Sequence, residues 1–153
     1  MTSQLLERKD FYKMNDLKFH DYLQLARLLV NKMNEQLTKN ELYHSQWLII
    51  NYLYNYDSAT LVEIANYLHV EKSAITRTVN RLEEHKLVLP VSGKDKRERR
   101  IALTEKGKES YILGRNIVDE IELNALKNIS STEQEQFFTT LNKIKNNVHQ
   151  QGR

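Results

Sequence analysis

Residues 60–86 read TLVEIANYLHVEKSAITRTVNRLEEHK. Thr60 followed three places later by Glu63 has the spacing of a capping box, in which a hydroxyl and a carboxylate satisfy each other's backbone amides and start a helix. Leu61, Ile64, Ala65 and Leu68 then share one face of that helix. From Lys72 a second amphipathic pattern begins, with Ala74, Ile75, Val79 and Leu82 on its apolar side. Its other side carries Ser73, Thr76, Arg77, Asn80 and Arg81. The expectation is two short helices joined by a tight connection, the second turning a small polar and basic face outward.

The chain continues with LVLPV (87–91), an extended run that Pro90 confines to a sheet edge, because proline cannot donate a ladder hydrogen bond. RIALT (100–104) alternates in the manner of a second strand, and between the two lies the charged segment GKDKRERR (93–100). Two short extended runs around a charged, glycine-containing loop predict a β-hairpin. The loop holds five basic and two acidic residues, so it alone carries as much charge as the whole chain, which is +3. The 18 basic and 18 acidic residues outside it cancel, since the totals are 23 and 20. Positive charge is therefore a local feature, suited to meeting a negative partner.

Outside this unit the pattern is helical. Residues 16–37 carry Leu25, Leu28, Leu29, Val30, Met33 and Leu37 on a wide apolar stripe, and residues 44–56 are apolar around most of their circumference, as in a buried helix. Thr104 is placed to cap a helix running toward residue 128, with Leu113, Ile117 and Ile121 as its stripe. SSTEQEQ (130–136) offers two overlapping capping boxes, Ser130 with Glu133 and Ser131 with Gln134, before a last helix with Phe137, Phe138, Leu141, Ile144 and Val148. Only four glycines and one proline among 153 residues favour a mostly helical fold.

The absence of cysteine excludes disulfides and thiol chemistry. No stretch reaches the about 18 uninterrupted apolar residues of a membrane helix, and the expected location is the cytoplasm. The five histidines (20, 44, 69, 85 and 149) have no metal-ligand spacing. No cofactor is implied, and no nucleophile–base pair or glycine-rich phosphate loop suggests an enzyme.

Helix, tight connection, helix and charged hairpin together form the layout of a winged helix-turn-helix. The major groove of DNA accepts one α-helix, and arginine and asparagine can read guanine and adenine edges there. Lys72, Ser73, Thr76, Arg77, Asn80 and Arg81 are the candidate recognition-helix residues. Lys94, Asp95, Lys96, Arg97, Arg99 and Arg100 are the candidate wing residues, for phosphates or the adjacent minor groove. An adaptor that touches a protein partner or RNA through the same basic wing is the alternative.

LVEIANYLHVEKSAITRTVNRLEEHKLV followed by DKRERRIALTEKG resembles the core of the MarR family of bacterial transcriptional regulators. The most specific piece is the wing pattern Asp95, Arg97, Leu103, Thr104 and Gly107. The resemblance implies that Arg97 enters the minor groove with Asp95 orienting its guanidinium. Lys86 stands where members often carry glycine, at a position where a left-handed cap costs a side chain about 1 kcal/mol. Leu89-Pro90 stands where many carry arginine. Both leave the helix exit and the route into the wing open.

The resemblance also implies a mainly α fold with a small β-hairpin wing, as one domain over 1–153. Residues 38–108 would form the winged helix-turn-helix DNA-binding lobe, and 1–37 and 109–153 a helical dimerisation region. A homodimer on double-stranded DNA with a palindromic operator follows, acting as a repressor released by a small aromatic or phenolic effector. Leu17, Tyr22, Leu25, Phe137, Phe138, Leu141 and Ile144 are the candidate intersubunit residues, because apolar stripes too large for one lobe to cover mark association. Tyr22, Arg27, His44 and Trp47 lie on elements that could line the expected effector cleft, but ordinary core and surface roles account for them better, and none is taken as a site residue.

Overall fold

The computed structural model describes residues 17–93, 95 and 97–151. In chain order the elements are α1 (His20–Leu37), a 3-10 turn (Thr38–Asn40), α2 (His44–Tyr56), β1 (Ser58–Thr60), α3 (Leu61–Leu68), α4 (Lys72–Glu84), β2 (Val88–Val91), β3 (Arg100–Leu103), α5 (Glu105–Ala125) and α6 (Ser131–Gln151). The chain divides within α5 into two compact units, one ending at Val118 and the other beginning at Asp119.

The capping box at Thr60 forms as expected: the Glu63 amide donates to Thr60 Oγ1 and the Thr60 amide to Glu63 Oε2, both at 3.1 Å. α3 stops at His69, whose positive φ of 55° lets the Val70 amide turn back to the Ala65 carbonyl at 3.1 Å. α4 buries Ile75, Val79 and Leu82. These meet Leu37, Ile49, Ile50, Leu53, Ile64 and Ile101 in one core built from α1, α2, α3, α4 and β3.

Lys86 adopts the left-handed conformation (φ 60°) that a glycine would adopt more cheaply. The Lys86 amide donates to the Glu83 carbonyl and the Leu87 amide to the Leu82 carbonyl, both at 2.9 Å, so α4 ends in a Schellman motif. The exit thus keeps its left-handed geometry without glycine. Packing of Leu87 and Val88, both buried, outweighs the local penalty.

β2 and β3 pair antiparallel from Val88↔Leu103 to Val91↔Arg100, with Pro90 on an edge strand as the sequence implies. A third strand, which the sequence does not announce, lies on the other side of β3. β1 pairs Ser58 with Ala102 and Thr60 with Arg100. It makes β3 the central strand and ties the hairpin to the start of α3, where the Leu61 amide donates to the Arg99 carbonyl at 3.3 Å.

Thr104 caps α5, accepting from the Gly107 amide at 3.0 Å while its hydroxyl donates to the Lys86 carbonyl at 2.7 Å. A Cβ at Gly107 would run into the Leu87 carbonyl, which explains glycine in the wing pattern. The buried face of α5 differs from the expected stripe. Leu113, Ile117 and Ile121 are only partly covered, whereas Gly107, Gly114 and Val118 are buried. Gly114 lets the Trp47 indole lie against the helix backbone, and Tyr54 stacks on Tyr111 at 3.7 Å between ring centroids.

In the second unit, Ser130 and Glu133 form the first of the two expected capping boxes (2.9 and 3.2 Å). The second does not form; Gln134 instead donates from Nε2 to the Ile129 carbonyl at 2.9 Å. α6 has no buried residue, and Phe137 meets Phe138 edge-on.

Candidate nucleic-acid interface

α4 presents Lys72, Ser73, Arg77, Asn80 and Arg81 to solvent, with Thr76 half-buried among them. Steps of three and four residues place Ser73, Thr76, Arg77 and Asn80 on one side of the helix. The Thr76 hydroxyl donates to the Lys72 carbonyl at 2.9 Å, so its proton is used within the helix. What it turns outward is a methyl group and an acceptor.

In the wing, Lys94 and Lys96 lie outside the described residues. Asp95 Oδ1 accepts from the backbone amide of Arg97 at 3.0 Å, and the Glu98 amide donates to the Asp95 carbonyl at 3.2 Å. Asp95 therefore braces the turn backbone, a side chain-to-backbone bond typical of aspartate in turns. Arg97 is left exposed on that turn.

The next two arginines point into the protein's own structure. Arg99 Nη2 donates to Asn80 Oδ1 at 3.0 Å and lies 2.8 Å from Glu83 Oε1. Arg100 donates from Nη1 to Ser58 Oγ at 3.2 Å and from Nη2 to Glu63 Oε1 at 3.5 Å, joining β3 to β1 and to the α3 capping box. Beside that pair, burial and the Glu63 carboxylate hold the Tyr52 phenol above its ordinary pKa of 10.0. The basic residues thus fall into two groups. Among the described residues, Lys72, Arg77, Arg81 and Arg97 are exposed without an ion-pair partner, while Arg99 and Arg100 are engaged.

Comparison with known proteins bears directly on this arrangement. A profile of the MarR family matches residues 40–98, which span α2 through the hairpin loop. The uncharacterized HTH-type transcriptional regulator YwoH of Bacillus subtilis (strain 168) is 42% identical over 92 residues, covering 60% of this chain and 67% of that protein. The chain belongs to the MarR family. It is a transcriptional regulator, not an enzyme.

Solved structures share the fold. A MarR/EmrR family regulator from Acinetobacter sp. ADP1 superposes with a TM-score of 0.82 at 29% identity, over 91% of this chain and 99% of that one. Staphylococcus aureus MepR, solved as a DNA complex, gives 0.80 at 21% identity over 89% and 99%. Within this MarR chain, Trp47 is 4% exposed and belongs to the core, whereas Tyr22 on α1 is open to solvent. An open groove of about 510 Å³ runs along α5, lined by Asn40, Glu109, Ile112, Leu113, Asn116 and Ile117.

The engagement of Arg99 with α4 is not evident from the sequence, where all the wing cations look alike. Its only trace there is the presence of acceptors, Asn80 and Glu83, at a three-residue step. No helix among the described residues is long and apolar enough to cross a membrane.

Proposed function

We propose that this MarR regulator binds a palindromic operator as a homodimer, with α4 in the major groove and the β2–β3 wing against the neighbouring backbone or minor groove. Residues 38–108 form the reading lobe, and 1–37 with 109–153 the dimerisation region. The observation that carries the reading is the 3.0 Å bond from Arg99 to Asn80, because it joins the wing's base to the polar face of α4. Helix and wing therefore belong to one surface. A duplex needs that: the groove admits the helix while cations beside it meet phosphates.

Four exposed cations, Lys72, Arg77, Arg81 and Arg97, supply the phosphate contacts, and Ser73, Thr76 and Asn80 lie where base edges would pass. A two-fold dimer would present two recognition helices about 34–36 Å apart, one helical turn of DNA. Binding of this kind blocks transcription when the operator overlaps a promoter, hence a repressor working in the cytoplasm. A small aromatic or phenolic effector would release it by favouring a different separation of the two helices.

Salt titration on an operator recovered from genomic fragments tests the reading. Arg97→Ala should weaken binding to all sequences alike and reduce the log–log salt slope by about 0.9 for each phosphate that Arg97 neutralises. Unchanged affinity and slope would remove Arg97 from the interface. Retention of single-stranded RNA in place of duplex would remove the operator itself.

A further inference from the structure

An arginine at the base of a DNA-facing hairpin is ordinarily counted as a phosphate ligand, but Arg99 is engaged in another way. One of its nitrogens, Nη2, reaches both Asn80 Oδ1 (3.0 Å) and Glu83 Oε1 (2.8 Å), two residues three positions apart on α4. The Arg99 and Glu83 side chains are 37% and 28% exposed, so their ion pair adds little to stability. Glu83 Oε1 is itself enclosed and has no aligned hydrogen bond, which makes the Arg99 charge its main compensation. That carboxylate gives Arg99 a reason to stay when a phosphate comes near.

We propose that Arg99 is a positioning residue for base reading, holding the Asn80 carboxamide with its oxygen toward the wing and its nitrogen free for the groove. The inference rests on the DNA-reading role proposed above. A free asparagine amide can flip, offering an oxygen or an NH2 group of almost the same shape. Guanidinium only donates, so its partner in the amide must be Oδ1. The flip is thereby suppressed, and the Nδ2 hydrogens remain for an acceptor on a base. Asn80 should then favour an acceptor edge, guanine O6 or N7, adenine N7 or thymine O4, and disfavour the cytosine N4 donor at that position. This orientation narrows what the residue type alone permits, which includes a flipped amide that offers its oxygen to the cytosine N4 donor.

The test uses the full-length protein and its selected operator. Wild type, Arg99→Gln, Asn80→Ala and the double variant are titrated against every single-base-pair substitution of one half-site. Arg99→Gln and Asn80→Ala should lose discrimination at the same base pair, each by about 5- to 100-fold. The double variant should lose no more than either single one, and Arg99→Gln should keep the wild-type salt slope. Arg99→Lys, which retains a donor and a charge, should recover part of the discrimination; it carries the comparison if Arg99→Gln melts early.

A slope flattened by about 0.9 per protomer with base preference intact would make Arg99 a phosphate ligand and overturn the proposal. So would preserved discrimination with an unchanged slope. If wild type retains no duplex at all, the DNA-reading role fails first and this inference with it.

Discussion

From α2 to β3 the chain closes a core of its own: Ile49, Ile50, Leu53, Ile64, Val79, Leu82 and Ile101 are each at most 1% exposed, although Tyr56, Tyr67 and Leu89 stay open to solvent. α6 contains Phe137, Phe138, Leu141, Ile144 and Val148 and buries none of them. α1 resembles α6 over most of its length. It covers Met33 and Leu37 near its C-terminal end, yet leaves Leu23 63% and Leu28 66% exposed. Both regions have amphipathic helices, so the difference is one of coverage rather than composition. The lobe closes its core with its own chain. The flanking helices present apolar stripes of the sort that monomeric proteins seldom leave in water, which supports the proposed second copy as their cover.

The contrast can be broken most decisively at α6. Replacing both Phe137 and Phe138 by Asp should halve the molar mass in light scattering and weaken operator binding by 100-fold or more, about 3 kcal/mol, while the lobe stays folded. Loss of the fold with no monomeric intermediate would show that α6 belongs to the same core as the lobe. Gly114→Ala attacks the other side of the comparison. Its methyl would overlap the Trp47 indole, so urea unfolding should register a loss of about 1–3 kcal/mol with the oligomeric mass unaltered.

Smaller effects sharpen the picture of the lobe. Lys86→Gly should stabilise it by about 0.5–1 kcal/mol by relieving the left-handed backbone, read as a higher urea midpoint. Destabilisation instead would mean that the lysine side chain contributes something the backbone argument omits.

The weakest effect concerns His44, at the start of α2, whose imidazole burial holds below its ordinary pKa of 6.5. The unfolded chain then binds a proton more readily than the folded one. The stabilisation is complete above pH 6.5 and is lost as pH falls through the lowered folded value. His44→Gln should flatten the stability profile below pH 6.5 and leave it unchanged above, as thermal melts across that range would register.

Elements held by neighbours in the chain were legible. The Thr60–Glu63 box, the apolar stripe of α4 and the Thr104 cap depend on residues within a few positions of one another, and the two hairpin strands pair across a single loop. β1 was not legible, because three residues, Ser58–Thr60, carry no periodicity; it is a strand only because β3 offers it a free edge. The buried face of α5 was not legible for a related reason. Leu113, Ile117 and Ile121 form the more apolar stripe, but Gly114 alone admits an indole, and the Trp47 side chain donates across 64 positions of sequence to the Tyr111 carbonyl at 3.5 Å.

The candidate interface divides in the same way. Which residues are polar or basic, and that those of α4 share one side, follows from the order of amino acids and the pitch of a helix. Local chemistry was sufficient for the fold class, and the resemblance of the motifs pointed to the family. Which cations remain open and which are held by the protein itself was decided only when β3 was seated between β1 and β2, bringing Arg99 to Asn80 and Arg100 to Glu63. Contacts between distant residues depend on how the elements pack, and packing is a property of the whole lobe that no single stretch of sequence contains.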